Sequence, residues 1–392
     1  MADCAAGAIA AFHDPPPFAT DVGDHRLEFF PAGDDRRDAI LAIIRGARRS
    51  LKLVFYIFAE DAISTLVRDE LTAAAGRGVR VMLIIDRFGS SASEAFLAPL
   101  CDAGGAFRYA NPRWTQRYLI RNHQKMILAD DAVAIFGGFN IADDYFAPPE
   151  VNGWTDLAVR IEGPAVEGLV QWFGRLDRWT GDAGPHFREV RRAVREWDWS
   201  AGELRWLVGG PTRGISTWAR CVSEDLAQGR RLDMLMAYFS PPFRLMGRIG
   251  RIARLGETRL VMAGKSDNAA TIGAARSLYR YLLRRGARIW EFSPCKLHTK
   301  LIVLDDTVYI GSANFDMRSL YLNLEIMLQV KDAALAERMR GFISQHIAAS
   351  EEITPALHAR RATPWNRLRW WLGWALVSVV DYTVTRRLNL GL

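Results

Sequence analysis

One short phrase, written twice, constrains this chain more than anything else in it. His123-Gln124-Lys125 is followed by Asp130, then Gly137-Gly138 and Asn140. His298-Thr299-Lys300 comes 175 residues later and is followed by Asp305, then Gly311-Ser312 and Asn314. A lone His-x-Lys arises often by chance, but two copies sharing the Asp and the Gly-x-x-Asn tail are a strong signal. The repeat predicts a duplicated fold that brings two histidines and two lysines to one seam. In each copy the His and Lys lie two apart, so both side chains leave a strand on one face. The second copy is one residue shorter between Asp and Gly. Inside a strand that change would flip every following side chain, so the turn or a bulge must absorb it.

The rest of the chain reads as two α/β halves. In the first, residues 36–50 have helical spacing, 51–58 read as a buried strand, 62–77 as a helix ended by Gly78, and 79–85 as a second strand. The second half repeats the order with a strand over 232–239, a helix over 243–255, a strand over 259–262 and a helix over 269–285. Tyr56 thus matches Tyr238, and Asp86 matches Lys265. Strands alternating with helices predict a mostly parallel or mixed sheet covered on both faces. The predicted organisation is a flexible arm over 1–25, one domain over 26–200, a second over 201–355, and an amphipathic segment over 356–392. The boundary is placed near Gly202, after an Arg-rich helix over 187–199.

The chain of 392 residues carries 51 Lys and Arg against 44 Asp and Glu, a net +7, which suits an anionic partner without choosing among phospholipid, nucleic acid and phosphorylated metabolite. Only six residues are lysine, and two of them are Lys125 and Lys300. In so Arg-biased a chain, that points to a need for a compact ammonium. The four cysteines are scattered without metal-ligand spacing and read as reduced and structural. The start lacks the basic residues and long apolar run of a signal peptide, and no stretch is apolar for the length of a membrane span.

Several motifs together carry a family resemblance: Arg-Asn-His-Gln-Lys (121–125), Gly-Gly-Phe-Asn-Ile-Ala-Asp-Asp-Tyr (137–145), His-Thr-Lys (298–300), Gly-Ser-Ala-Asn-Phe-Asp-Met-Arg-Ser-Leu (311–320) and Leu-Asn-Leu-Glu (322–325). From about His25 to Ile347 the chain resembles the phospholipase D superfamily, and within it the bacterial cardiolipin synthases. The resemblance implies two pseudo-twofold-related domains, each a mixed sheet flanked by helices, with one active site at their interface and no cofactor or metal. The residues suit that chemistry. Cleaving a phosphodiester without a metal needs cations on the non-bridging oxygens, a nucleophile, and a proton donor for the leaving alkoxide. Lys125 and Lys300 can supply the cations, and Asn140 and Asn314 neutral donors. Histidine suits both other roles, because its ordinary pKa of ~6.5 leaves both protonation states accessible. By analogy with the family, His123 is the nucleophile that forms a phosphohistidine, and His298 protonates the leaving group and then activates the incoming hydroxyl. Pseudo-symmetry leaves the reverse assignment open. Each histidine needs a carboxylate to fix its tautomer; Asp156 is the candidate in the first half and Glu325 in the second. Asp130 and Asp305 are expected at hairpin turns.

The resemblance implies transfer of a phosphatidyl group to phosphatidylglycerol, with a second phosphatidylglycerol or phosphatidylethanolamine as donor. It also implies a phospholipid surface as partner, without nucleic acid. Residues 370–380 form an apolar run of eleven, with Arg367 and Arg369 before it and Arg386-Arg387 after. With four tryptophans at or near its start, the segment suits a bilayer interface, here taken as peripheral attachment to the cytoplasmic side of the bacterial inner membrane. A core-packing helix or an oligomer contact fits it nearly as well. Arg244, Arg248 and Arg251 are a possible basic stripe toward lipid. Asp143 and Asp144 read as loop or helix-start residues, and His13, His25, His186, His346 and His358 have no supporting pattern. The alternatives are a phosphodiesterase that hydrolyses phospholipid or nucleic acid, and an inactive lipid-binding scaffold.

Overall fold

The computed structural model describes residues 12–110, 120–181, 187–212 and 215–380. The first eleven residues of the expected arm, Cys4, His186 and the stretch containing Arg386-Arg387 lie outside them. In the first half the strands are β1 (Phe18–Val22), β2 (His25–Phe30), β3 (Ser50–Phe55), β4 (Arg80–Asp86), β5 (Ala106–Ala110), β6 (Met126–Ala129), β7 (Val133–Gly137), β8 (Trp154–Thr155) and β9 (Ala158–Glu162). They are interleaved with helices α1 (Gly33–Gly46), α2 (Ala62–Gly76) and α3 (Glu94–Asp102); α4 (Val166–Thr180) and α5 (Phe187–Glu196) lead into the second half. There the strands are β10 (Trp199–Ala201), β11 (Leu204–Gly209), β12 (Arg231–Met236), β13 (Phe239–Ser240), β14 (Glu257–Ala263), β15 (Arg288–Phe292), β16 (Lys296–Leu297), β17 (Lys300–Leu304), β18 (Thr307–Gly311), β19 (Phe315–Asp316), β20 (Glu325–Lys331) and β21 (Ser350–Glu352). The helices are α6 (Thr217–Gln228), α7 (Phe243–Leu255), α8 (Ala269–Leu283), α9 (Met317–Tyr321), α10 (Ala333–Ala348), α11 (Pro355–Arg361) and α12 (Pro364–Trp374).

The duplication appears strand for strand. The first sheet has the order β1-β2-β9-β7-β6-β3-β4-β5, and the second β10-β11-β20-β18-β17-β12-β14-β15 with β21 added at its edge. In each, three strands joined by helical crossovers are parallel, and the rest pair antiparallel. Each half is therefore the mixed, helix-flanked sheet that the pattern predicts. The inward faces of both sheets meet α4 and α10 in one shared apolar core, where Phe136 and Trp206 lie edge to face at 4.9 Å. Smaller apolar cores on the two outer faces lie under α1 to α3 and under α6 to α8. The shared core holds the seam rigidly enough to set side-chain geometry across it.

The two copies of the phrase differ where they must. Ala129 pairs with Val133, leaving three residues in the first hairpin, whereas Leu304 pairs with Thr307, leaving two in the second. The extra residue is thus taken up in the turn, and β7 and β18 keep equivalent faces. Asp130 and Asp131 hold φ of 55° and 59°, and Asp305 holds 49°, a left-handed region that Asp tolerates better than most residues. The Asp130 carboxylate accepts from the backbone N–H groups of Arg48, Arg49 and Ser50, and Asp305 accepts from those of Arg230 and Arg231. Both aspartates therefore clamp a hairpin to the strand beside it.

Two expectations are corrected. The segment over 1–25 is not all arm: Phe18–Val22 is β1, and the two-residue turn to β2 uses Gly23 at φ +54°. Before it, Phe12 is buried against Phe292 and His346 of the second half, while Thr155 donates to Asp14 at 2.9 Å. The start thus straddles both halves, with Phe12 in the shared apolar core and Asp14 bonded to the first half. The second sheet begins at Trp199, and Gly202 lies in the turn of its first hairpin. The stripe on α7 is partly spent inside the fold, because Arg248 donates to Ser223 and Arg251 donates to the Gly229 carbonyl at 2.7 Å, which satisfies carbonyls in the last turns and at the cap of α6.

The C-terminal segment packs by one face. Helix α12 and a wider π-type turn, Ala375–Val380, lie along α8. Contact is close because small residues meet: a Cβ on Gly373 would sit 2.9 Å from the Ala270 carbonyl oxygen, and Trp370 covers Gly273. The opposite face leaves Trp365, Leu368, Trp371 and Leu372 exposed. Among the described residues no helix is long and apolar enough to cross a membrane.

Candidate active site

The site forms where the halves exchange backbone bonds. β8 pairs with β16 in parallel, and Asn122 bridges to Leu324. The His298 N–H donates to the Thr155 carbonyl at 2.9 Å, and the His123 N–H donates to that of Leu324, also at 2.9 Å. Each histidine is thereby fixed by the opposite domain. All eight candidate residues are buried together along this seam: His123, Lys125, Asn140, Asp156, His298, Lys300, Asn314 and Glu325.

The carboxylates are exchanged relative to the sequence reading. Asp156 partners the second histidine, with its Oδ2 2.6 Å from His298 Nδ1. Glu325 partners the first, with its two oxygens 3.0 and 3.1 Å from His123 Nδ1. The physical cause is the crossed pairing: the strands carrying the carboxylates lie in register with the other half's histidine. An ionised carboxylate only accepts, so it holds the proton on Nδ1 and leaves Nε2 for chemistry. Behind Asp156 there is no room for a side chain, because a Cβ on Gly138 would meet its oxygens at 2.7 and 2.8 Å. The equivalent position behind Glu325 is Ser312, whose hydroxyl donates to Glu325 Oε2 at 2.5 Å, while Ser319 donates to Oε1 at 2.8 Å.

Charge in the site is unevenly held. Burial pushes the Asp156 carboxyl up, but the His298 dyad, Lys300 and Arg36 overcome it and hold the group at about 2. Burial instead dominates at Glu325 and lifts it to about 7 against Lys125 and the two serines. Burial and Lys300 press His298 down to about 3, with Asp156 pulling the other way. His123 is pushed well below the ordinary imidazole value by burial and by Lys125, Lys300 and Arg121. Burial lowers Lys300 to about 8 and drives Lys125 well below its usual range, the Lys300 charge adding to the shift at Lys125. Lys125 Nζ donates to the His123 carbonyl at 2.6 Å, and Lys300 Nζ to that of His298, so one N–H of each is used locally. Two buried ammonium groups with no carboxylate in hydrogen-bond contact among the described residues are what a bound phosphate anion would relieve. The Asn140 oxygen accepts from the Ile57 N–H at 3.1 Å, while that of Asn314 is buried without a hydrogen-bond partner among the described residues.

Other residues of the site were not legible in the sequence. Arg36 is fully buried and donates to the carbonyls of Pro31, Tyr145 (2.6 Å), Trp154 (3.3 Å) and Asp156 (2.8 Å), so it positions the strand carrying Asp156. It sits in the charged run 34–38, which looks like a solvated helix start, and nothing distinguishes it there. Tyr145 and Trp154 wall His298 at 5.0 and 5.2 Å, and Tyr56 lies 4.8 Å from His123. Tyr238, the match of Tyr56, instead donates to Asp267 at 2.8 Å. Asp143 accepts from the N–H groups that open α2, and Asp144 pairs with Lys296 across the seam. Of the patternless histidines, His25 and His346 are buried and bonded to backbone.

Two half-sites closed into one by crossed His–carboxylate pairs define a phospholipase D-type fold and site. The comparisons place the chain within that class. The family model described as "Cardiolipin synthase, PLD-like domain" matches residues 40–176 and 224–347. The chain belongs to this family and is a cardiolipin synthase-like phosphatidyltransferase of the phospholipase D superfamily. Cardiolipin synthase B of Escherichia coli K12 is 29% identical over 355 residues, covering 87% of this chain and 85% of that one. Cardiolipin synthase 2 of Bacillus anthracis is 29% identical over 344 residues, 84% and 66% of the two chains. Among solved structures, phosphatidylserine synthase of Haemophilus influenzae shares the fold with a TM-score of 0.72 at 15% identity, covering 94% and 96%. Polyphosphate kinase of Porphyromonas gingivalis does so at 0.53 and 17%, covering 82% and 50%.

Proposed function

We propose that this enzyme makes cardiolipin by transferring a phosphatidyl group to the headgroup glycerol of phosphatidylglycerol through a phosphohistidine. The observation that carries the reading is the pair of His–carboxylate dyads, crossed between the halves, with two buried lysines beside them. The donor phosphodiester lies against Lys125 and Lys300, its non-bridging oxygens neutralised by the two ammonium groups. His123 Nε2 attacks phosphorus; the P–N bond forms as the P–O bond to the leaving alkoxide breaks, and His298 Nε2–H gives that oxygen its proton. The acceptor hydroxyl then yields its proton to His298, its oxygen attacks phosphorus, and the P–N bond breaks.

The uneven carboxylates favour this division of roles. An imidazolium is best stabilised beside a carboxylate that stays ionised, which is Asp156 at His298. His123, with a partner raised to about 7, is the better neutral nucleophile. The lipid substrates place the reaction at a membrane surface, taken here as the cytoplasmic leaflet, with phosphatidylglycerol or phosphatidylethanolamine as donor.

Mass spectrometry of products from phosphatidylglycerol vesicles, with and without phosphatidylethanolamine, tests the reaction. Diphosphatidylglycerol is expected, and phosphatidic acid alone would make the protein a hydrolase. His123→Ala and His298→Ala should each abolish transfer; near-full activity in either refutes the two-histidine mechanism. A trapped phosphopeptide should contain His123, and one containing only His298 reverses the roles.

A further inference from the structure

On the outer side of the second half, α8, α11 and α12 enclose a cleft of about 460 Å³ lined by Arg276, Arg280, Arg284, Arg367, His358 and Trp371 among others. Its charge is one-sided. Arg276 is engaged by Glu291, with bonds of 2.7 and 2.6 Å. Arg280, Arg284 and Arg367 are exposed and form no side-chain hydrogen bond or ion pair among the described residues. Three uncompensated guanidinium groups line it, with Arg280 in the last turn of α8 and Arg284 at its C-cap. His358 is buried at the base and stacks on Trp370 at 5.4 Å.

The rim of this cleft is apolar and continues toward the active site. Trp371 and Leu372 are 56% and 51% exposed, with Leu368 and Trp365 on the same outer side. Helix α12 runs antiparallel to α8, since Arg367 lies by Arg280 and Arg284 while Gly373 lies by Ala270. Its continuation brings Leu376 beside Gly264 and Ala269, at the start of α8. Just before that start, Asp267 holds the Tyr238 hydroxyl, and its charge reaches Lys300 in the site. Phe243, 72% exposed, stands 5.7 Å from Trp374 at the same end. An unpaired basic cleft at one end of an apolar ridge, with the catalytic mouth at the other, matches a surface laid on a charged bilayer.

We infer that this cleft is a non-catalytic site for the phosphate headgroup of an anionic phospholipid in a bilayer. Arg280, Arg284 and Arg367 bind the phosphate, and the Trp371–Leu372 ridge enters the interface, so that the seam opens toward the lipid. The inference rests on the reading that the substrate lies in a membrane, but its test reads binding and not turnover. Full-length protein is sedimented with phosphatidylcholine vesicles with and without phosphatidylglycerol, beside the R280Q/R284Q/R367Q variant and a W371S/L372S variant. Wild type is expected to prefer the anionic vesicles. The arginine variant should lose about 100-fold of that affinity, since each basic residue at an anionic surface is worth roughly a factor of five. The ridge variant should bind both vesicle types more weakly, and unchanged circular-dichroism melts would show that both fold. Equal binding of charged and neutral vesicles by wild type would overturn the site, as would full anionic binding by the arginine variant. So would loss of a wild-type dimer in the arginine variant, which would give the cleft to a second copy. A failure to form cardiolipin with vesicle binding intact would instead strike the functional reading.

Discussion

Replacing Asp156 by Asn separates the crossed pairing from any same-domain arrangement. The substitution keeps the size of the side chain but removes the charge 2.6 Å from His298 Nδ1. Two unit charges with centres roughly 4 Å apart at an effective dielectric of about 20 interact by about 4 kcal/mol. If His298 must become imidazolium to protonate the leaving alkoxide, that loss corresponds to about a 10³-fold slower first step. A phosphatidyl ester of p-nitrophenol needs no such proton, because its anion leaves unaided. Single-turnover release of p-nitrophenolate from that ester should therefore fall less than about tenfold in D156N, while the natural donor keeps the full loss.

Glu325→Gln serves as the mirror. Glu325 attends His123, so its replacement should slow attack on phosphorus whatever group departs, and both substrates should suffer by about the same factor. The reasoning fails if E325Q is the variant rescued by p-nitrophenol and D156N is not. It fails equally if neither variant discriminates between the substrates.

Other consequences are simpler to read. Lys300 is lowered to about 8, so it is charged below that value and neutral above it; kcat/KM should fall about tenfold per unit as pH rises beyond about 8, and Lys300→Arg should shift that limb out of range even at reduced activity. Gly138→Ala puts a methyl within 2.8 Å of the Asp156 carboxylate, and should cost roughly as much activity as D156N, by about 10²- to 10³-fold, with little change in melting temperature. Arg36→Met strands carbonyls at Tyr145, Trp154 and Asp156, and urea unfolding should show a loss of about 3 kcal/mol. Phe12→Ala opens a void against Phe292 and His346 and should cost about 3 kcal/mol in the same assay, whereas a truly mobile arm would give no change.

The duplicated phrase, the order of strands and helices, and all eight buried residues of the seam could be read from sequence, because each depends on local pattern. A period of two does not tolerate an extra residue inside a strand, which left the turn or a bulge to absorb it; the structure takes the turn, with three residues in the hairpin at Asp130 against two at Asp305. What could not be read depends on which half a residue faces. Asp156 lies 33 positions after His123 and Glu325 lies 27 after His298, so proximity in sequence assigns each carboxylate to its own half. The β8–β16 pairing overrules it, because a parallel bridge between halves has no local signature. Arg36 and Phe12 escaped for the same reason, since their partners are distant carbonyls and distant rings.

That exchange has a consequence for how the site can exist at all. With Asp156 serving His298 and Glu325 serving His123, neither half contains a complete dyad, and each histidine's own backbone N–H is also bonded across the seam. A half that opened would leave a buried carboxylate without its imidazole partner and expose the shared core. Opening the seam would therefore disable both chemical steps together, not one of them. The mild asymmetry between the halves, Gly138 and Asp156 on one side against Ser312 and Glu325 on the other, then lets one closed site hold a carboxylate at about 2 and another at about 7. A symmetric pair of identical dyads would give both histidines the same proton affinity. On the proposed mechanism, an Asp156 that stays ionised can offset a positive charge formed on His298 during turnover, whereas Glu325, raised to about 7, offsets one on His123 less, so divergence behind a duplicated pair would set their roles apart.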